Sequence, residues 1–173
     1  LNAVVNAFHY RMTDFIQAEL APDERVQYRN SGQIRLTGIE TEVSGSPLPW
    51  LDAAFSAVFQ KSDDLAKASR LVNSPSVLGK ARVGIPVFRR RGTIGFALRG
   101  WNSRLTGSGA RLGTVALLDS SISTAKIRSG FQLAAGVRNL MGRNYEDPVD
   151  LTLDRIRANG RTWYVRLSWQ SKE

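Results

Sequence analysis

The chain has 173 residues, 42% hydrophobic and 23% charged, with a formal net charge of +9. It contains no run of about eighteen apolar residues, which excludes a spanning helix. A spanning strand is not excluded, because it shows lipid on one side only and keeps the mean hydropathy modest. The lack of cysteine excludes disulfides and thiolate metal centres. The basic balance points to an anionic partner of some kind, whether nucleic acid, a membrane surface or a small ligand, and says nothing of fold.

Taken in chain order, the sequence alternates with period two almost throughout. The chain opens at Leu1 in mid-strand pattern, without Met or a basic leader, so its natural N-terminus is expected upstream. Residues 2–17 read as a first strand, with Phe8, Tyr10 and Met12 in phase. Residues 27–44 read as a second, whose phase slips near Gly38: Ile34 and Leu36 face one way, Ile39 and Val43 the other. A glycine at a phase slip predicts a β-bulge. After a short turn at 45–49, residues 51–60 carry Leu51, Ala53, Phe55, Ala57 and Phe59 on one face.

A longer loop, 61–76, precedes the strand at 80–88. There Ala81, Val83, Ile85 and Val87 oppose Lys80, Arg82, Gly84 and Pro86, and the proline predicts an edge or a bulge. The turn at 89–92 holds three arginines and reads as solvated. Residues 93–101 set Ile94, Phe96 and Leu98 against Thr93, Gly95, Ala97 and Arg99. Residues 113–123 form the weakest run, beyond a loop at 106–112. After a turn at 125–129, residues 131–138 oppose Phe131, Leu133, Ala135 and Val137 to Gln132, Ala134, Gly136 and Arg138.

A long loop, 142–160, leads to the last strand, 161–170. Trp163, Val165, Leu167 and Trp169 share its apolar face, while Thr162, Tyr164, Arg166 and Ser168 share the other. An apolar stripe with a Trp at each end has the character of a lipid-facing strand with interfacial aromatic girdles. Several of these runs are close to the roughly 9–11 residues that a tilted strand needs to cross a bilayer. Short turns alternate with mostly longer loops, which is the outer-membrane arrangement. The pattern predicts an all-β protein, an antiparallel up-and-down transmembrane β-barrel segment of about eight strands from a larger barrel. No linker or repeat divides the chain. A soluble sandwich alternates at similar spacing, and the tryptophans of the last strand favour the membrane.

Five segments bear on family. Gly38-Ile39-Glu40-Thr41-Glu42, Asn73-Ser74-Pro75, Leu118-Asp119-Ser120, the run from Gly136 to Tyr145 containing Asn139-Leu140, and Gly160-Arg161-Thr162-Trp163-Tyr164 occur in that order. Together they resemble the C-terminal β-barrel portion of TonB-dependent outer-membrane receptors. The likeness covers residues 1–173, with the plug domain and earlier strands outside the chain. Two departures stand out. Met141 replaces the usual aromatic residue, and the polar Gln170-Ser171-Lys172-Glu173 follows Trp169 where the family usually ends on an aromatic.

The resemblance implies a bacterial outer-membrane location. It implies active import of a scarce ligand such as a ferric siderophore or cobalamin, powered by TonB through the plug. The implied partners are outer-membrane lipid and lipopolysaccharide, the receptor's own plug and upstream strands, TonB, and the barrel-assembly machinery. Nucleic acid is not among them, and neither a cofactor nor enzymatic activity is expected. Trp163, Val165, Leu167 and Trp169 resemble the barrel-assembly signal. Two readings from other classes stay open: a small standalone outer-membrane barrel with a structural or adhesion role, and a soluble basic all-β binding module.

The residues that carry chemistry are few. His9 and Asp14 lie an odd number of residues apart, face opposite sides of an alternating strand, and so make no catalytic pair. Loop 142–160 carries Glu146, Asp147, Asp150 and Asp154 beside Arg143, Arg155, Arg157 and Arg161. Its spacing lacks the calcium-loop pattern, and a solvated loop with internal ion pairs is expected there. Lys80, Arg82, Arg99, Arg138 and Arg166 are expected on the inner wall, where they would attract anions or pair with acidic neighbours. The ligand-binding candidates are therefore Arg99, Arg138 and Arg166 on the wall, and Arg143, Tyr145, Asp147 and Asp150 on the loop.

Overall fold

The structure, a computed structural model, describes residues 1–23, 25–125, 130–149 and 153–170. Its elements are β1 (Asn2–Leu20), β2 (Val26–Leu48), β3 (Leu51–Asp64), β4 (Ser69–Arg70), β5 (Val77–Val87), β6 (Gly92–Trp101), β7 (Arg104–Leu105), β8 (Arg111–Leu112), β9 (Val115–Thr124), β10 (Phe131–Arg138), β11 (Glu146–Pro148), β12 (Arg155–Arg157) and β13 (Thr162–Trp169). Among the described residues eight long strands form one antiparallel meander in the order β1-β2-β3-β5-β6-β9-β10-β13, with β4 beside β3. Two small hairpins, β7–β8 and β11–β12, lie in the long connections. Among the described residues β1 and β13 stand at opposite ends of the sheet, which is open.

Register converts the alternation into two continuous faces. On one, Ile85, Ile94, Ile122, Ala135 and Val165 form a row across five strands. Phe55, Ala81, Leu98 and Leu118 form another. Trp163, Val165, Leu167 and Trp169 are 62–75% exposed on this face. An apolar surface of this extent belongs against lipid. The opposite face carries Lys80 beside Arg99, then Arg82 beside Ala97 and Asp119.

The expected bulge at Gly38 is absent. Gly38 pairs in unbroken register with Phe8 and with Gln60. The irregularities fall instead at Met12–Ile16, where Asp14 has a φ of 56°, and between Gly45 and Leu48. The phase slip has another cause. At about 3.3 Å per residue, the 23 residues of β2 reach far past a bilayer that about 10 would cross. Above the lipid the outer side meets water and becomes polar, while apolar residues turn inward. Tyr10 pairs with Leu36, and Met12 with Ile34, all on the inner face. Gly38 is required for close approach: a Cβ there would lie 2.6 Å from Phe8 Cζ and 2.5 Å from the Phe59 carbonyl oxygen.

Pro86 is accommodated at an edge. The last β3–β5 pair is Asp52 with Gly84, so Pro86 lies beyond β3 and pairs only with Thr93 of β6. In the neighbouring turn the Arg91 N–H donates to the Phe88 carbonyl at 3.1 Å, and Arg89 and Arg90 both have positive φ. That is the type I′ hairpin geometry. Arg90 also donates to the Pro49 carbonyl at 3.0 Å, joining two adjacent short turns.

Candidate functional site

The long connections gather at one end of the sheet, and side chains stitch them together. Asn139, 3% exposed and at a φ of 51°, ends β10. Its N–H donates to Asp119 Oδ1 at 2.8 Å. Its carboxamide closes the following turn, accepting from the Arg143 N–H and donating to the Arg143 carbonyl, both at 2.8 Å. Asp119 also lies 3.4 Å from Arg99. Two of the quoted segments, the one around Asp119 and the one around Asn139-Leu140, thus meet across a strand pair.

Arg104 is the centre of the loop cluster. It sits on the short β7 just past Trp101, and its side chain is 9% exposed. The guanidinium donates to Asp147 Oδ1 at 2.7 Å, to the Glu146 carbonyl at 3.1 Å and to Asn73 Oδ1 at 3.0 Å. It lies 5.0 Å from the centre of the Trp101 ring, which Tyr145 meets edge-on at 5.9 Å. A planar guanidinium suits this role, since its donors diverge and its face stacks on an aromatic. One residue therefore binds loops 65–76, 102–114 and 139–161 to each other.

The loop carboxylates are engaged separately. Asp154 accepts from the Ser108 N–H at 2.8 Å, and that hydrogen bond holds its carboxyl below the usual range. Glu146 pairs with Arg155 at 3.4 Å. Among the described residues no three His, Cys, Asp or Glu side chains gather as a metal site.

An open meander with an apolar outer face, a charged inner face and loops locked at one end is the wall of a large membrane barrel. The sequence matches the family model for the TonB-dependent receptor-like β-barrel over residues 1–140. The chain belongs to that family.

Solved structures agree on the fold. The ferric yersiniabactin uptake receptor FyuA from Yersinia pestis superposes with a TM-score of 0.73 at 19% identity, covering 95% of this chain and 27% of FyuA. The copper transporter OprC gives 0.76 at 14%, covering 96% and 28%. The ferric-catecholate import receptor Fiu from E. coli K12 gives 0.69 at 16%, covering 95% and 24%. This chain thus spans about a quarter of the length of these receptors. No curated protein matches it by sequence. As part of a TonB-dependent receptor barrel, it lies in the outer membrane.

On this receptor wall the candidate residues fall into two groups. Arg99, Arg138 and Arg166 share the inner face: Arg99 is beside Asp119, Arg138 lies 5.4 Å from the Tyr164 ring, and Arg166 pairs with Ala134. Arg143, Tyr145 and Asp147 belong to the loop cluster. Arg143 donates to the Thr114 carbonyl at 2.9 Å, so all three hold the loops to one another. Asp150 lies outside the described residues. On the inner wall Gly136 lets Tyr164 approach closely: a Cβ on Gly136 would lie 2.7 Å from its hydroxyl.

Two features escaped the sequence reading. Arg104 looks like any solvated loop arginine until Trp101, Asn73 and Asp147 are brought around it. Phe8 and Tyr10, stacked at 5.6 Å, face inward above the membrane band. Their alternation was visible, but their side was not. His9 faces outward, its Nδ1 2.7 Å from Thr37 Oγ1.

Proposed function

We propose that this chain supplies part of the wall and of the external ligand surface of an energy-coupled outer-membrane importer. The cargo is a scarce ligand in the class of ferric siderophores or cobalamin. TonB, acting through a plug domain, drives its release inward, with no covalent chemistry and no cofactor. The observation that carries this reading is the pairing of a charged inner face, where Lys80, Arg82, Arg99, Arg138 and Arg166 stand among Glu40, Glu42, Asp52 and Asp119, with external loops locked by Arg104. Arginines on such a wall offer donors to the anionic groups of a ligand, and a rigid loop set lowers the ordering cost of binding it. The apolar stripe of β13, Trp163 to Trp169, is proposed as the contact for the barrel-assembly machinery.

The test is cellular uptake by the full-length receptor. Labelled iron supplied as ferric siderophores, and labelled cobalamin, are followed in cells with and without the receptor and with and without TonB. Uptake of one cargo should need both proteins. Uptake that survives loss of either, for every cargo tried, would sink the import reading.

A further inference from the structure

β2 outruns its neighbour at the end of the sheet where the long connections gather. β3 ends at Asp64, opposite Ile34, and the Leu65 N–H closes the ladder by donating to the Gln33 carbonyl at 2.8 Å. The chain then folds back as β4 along the other side of β3, away from β2. Residues 26–32 therefore pair with β1 alone. All of residues 25–125 are described, and none of the strands that follow β2 lies against this side of residues 26–32. Main-chain N–H and C=O groups there face away from the sheet, and an edge of this kind is a template for a further strand.

The side chains along this edge are sorted by face. Phe15 pairs with Gly32 but Ile16 with Asn30, so Ser31 is an extra residue on β2 and shifts its alternation. Phe15 and Gln17 both lie over Gly32, on the inner side. Ile16 and Ala18 therefore point outward, together with Tyr28 and Val26. Ile16, Val26 and Tyr28 are 61%, 38% and 76% exposed. Gln27 and Arg29 point inward, and Arg29 donates to the Gln27 carboxamide oxygen at 2.9 Å. Long loops of such barrels lie outside the cell, so this apolar strip and its open edge stand in water above the lipid.

The geometry narrows what can add to the edge. Two upright copies in one membrane would bring it to itself with both strands running the same way and identical groups at equal height, N–H against N–H. A second copy therefore does not fit. Of the cations nearby, Arg25 and Lys67 are matched by Asp23 and Asp64. Arg29 meets the neutral Gln27 and is matched by a carboxylate brought from outside.

We propose that residues 26–32 are a docking edge for an extended segment of a different polypeptide at the cell surface. The segment joins the sheet as a strand, with apolar side chains beside Val26 and Tyr28 and a carboxylate beside Arg29. Main-chain hydrogen bonds supply the affinity of such strand addition, and alternate side chains supply its selectivity. The edge rests on the outer-membrane placement and is independent of what the receptor imports.

The experiment follows hydrogen exchange of the full-length receptor in detergent by mass spectrometry. In the free receptor, amides of residues 26–32 should exchange faster than those of 36–44, which lie between two strands. A short peptide of alternating valine and glutamate should slow them about tenfold. The same peptide with lysine in place of glutamate should slow them less, and Arg29→Glu should reverse that order. The glutamate peptide N-methylated at every amide cannot donate and should leave exchange unchanged. Equal protection of 26–32 and 36–44 in the free receptor overturns the docking edge, since the receptor then covers it by itself. No slowing by the glutamate peptide, or equal slowing by its N-methylated form, also overturns it. These wild-type comparisons stand even where Arg29→Glu fails to assemble.

Discussion

The backbone N–H of Asn139 donates to Asp119 Oδ1 at 2.8 Å, joining the end of β10 to the middle of β9. The same asparagine closes the turn to Arg143 through both atoms of its carboxamide. Asn139→Ala removes these side-chain bonds in a site only 3% exposed and places alanine at a φ of 51°. A loss of about 2–3 kcal/mol is expected. Asn139→Gly should cost less, because glycine accepts the backbone conformation. Urea unfolding of the full receptor in detergent checks the order, and equal losses for the two variants would mean that backbone conformation contributes little.

Val165 lies within the apolar row that runs from Ile85 to β13, and Arg166 points to the other face. Val165→Arg places a charge in lipid and should cost about 2–4 kcal/mol near the midplane. Arg166→Ala should leave assembly nearly intact. Heat-modifiable mobility of the assembled receptor reports both, and a worse defect for Arg166→Ala would reverse the assigned faces.

Arg104→Ala removes the shared partner of Asn73, Glu146 and Asp147. The cost should be about 1–3 kcal/mol, below that of a fully buried pair because Asp147 is 40% exposed. Limited proteolysis should then find loops 65–76 and 139–161 opening together. Cleavage confined to 102–114 would show that Arg104 does not couple them.

The Ser108–Asp154 contact fixes a pH dependence. The Ser108 N–H holds the folded-state carboxyl below its ordinary value. Its stabilising effect is therefore fully present above the unfolded-state pKa of about 4 and is lost as pH falls through the lower folded value. Hydrogen exchange at the Ser108 amide should stay protected at neutral pH and lose protection only in acid. Loss of protection on raising the pH from 5 to 8, beyond the intrinsic exchange rate, would contradict the sign.

How much of this was legible in the sequence can be judged at particular residues. Alternation located all eight long strands and placed Trp163, Val165, Leu167 and Trp169 on one face, because side chains on a strand alternate whatever surrounds it. At Gly38 the same rule misled. A change of apolar side arises from a bulge that shifts the backbone or from a change of surroundings along a straight strand, and alternation reports both identically. Only the unbroken pairing of Gly38 with Phe8 and Gln60 separates them. The sequence by itself determined strand positions and the alternation of side chains along each strand, since these follow from local covalent geometry and the period-two pattern. The tertiary structure alone decided that Arg104 joins three loops and that β2 outruns β3 and keeps an open edge at residues 26–32. Contacts between residues far apart in the chain depend on register and loop path, and local periodicity encodes neither.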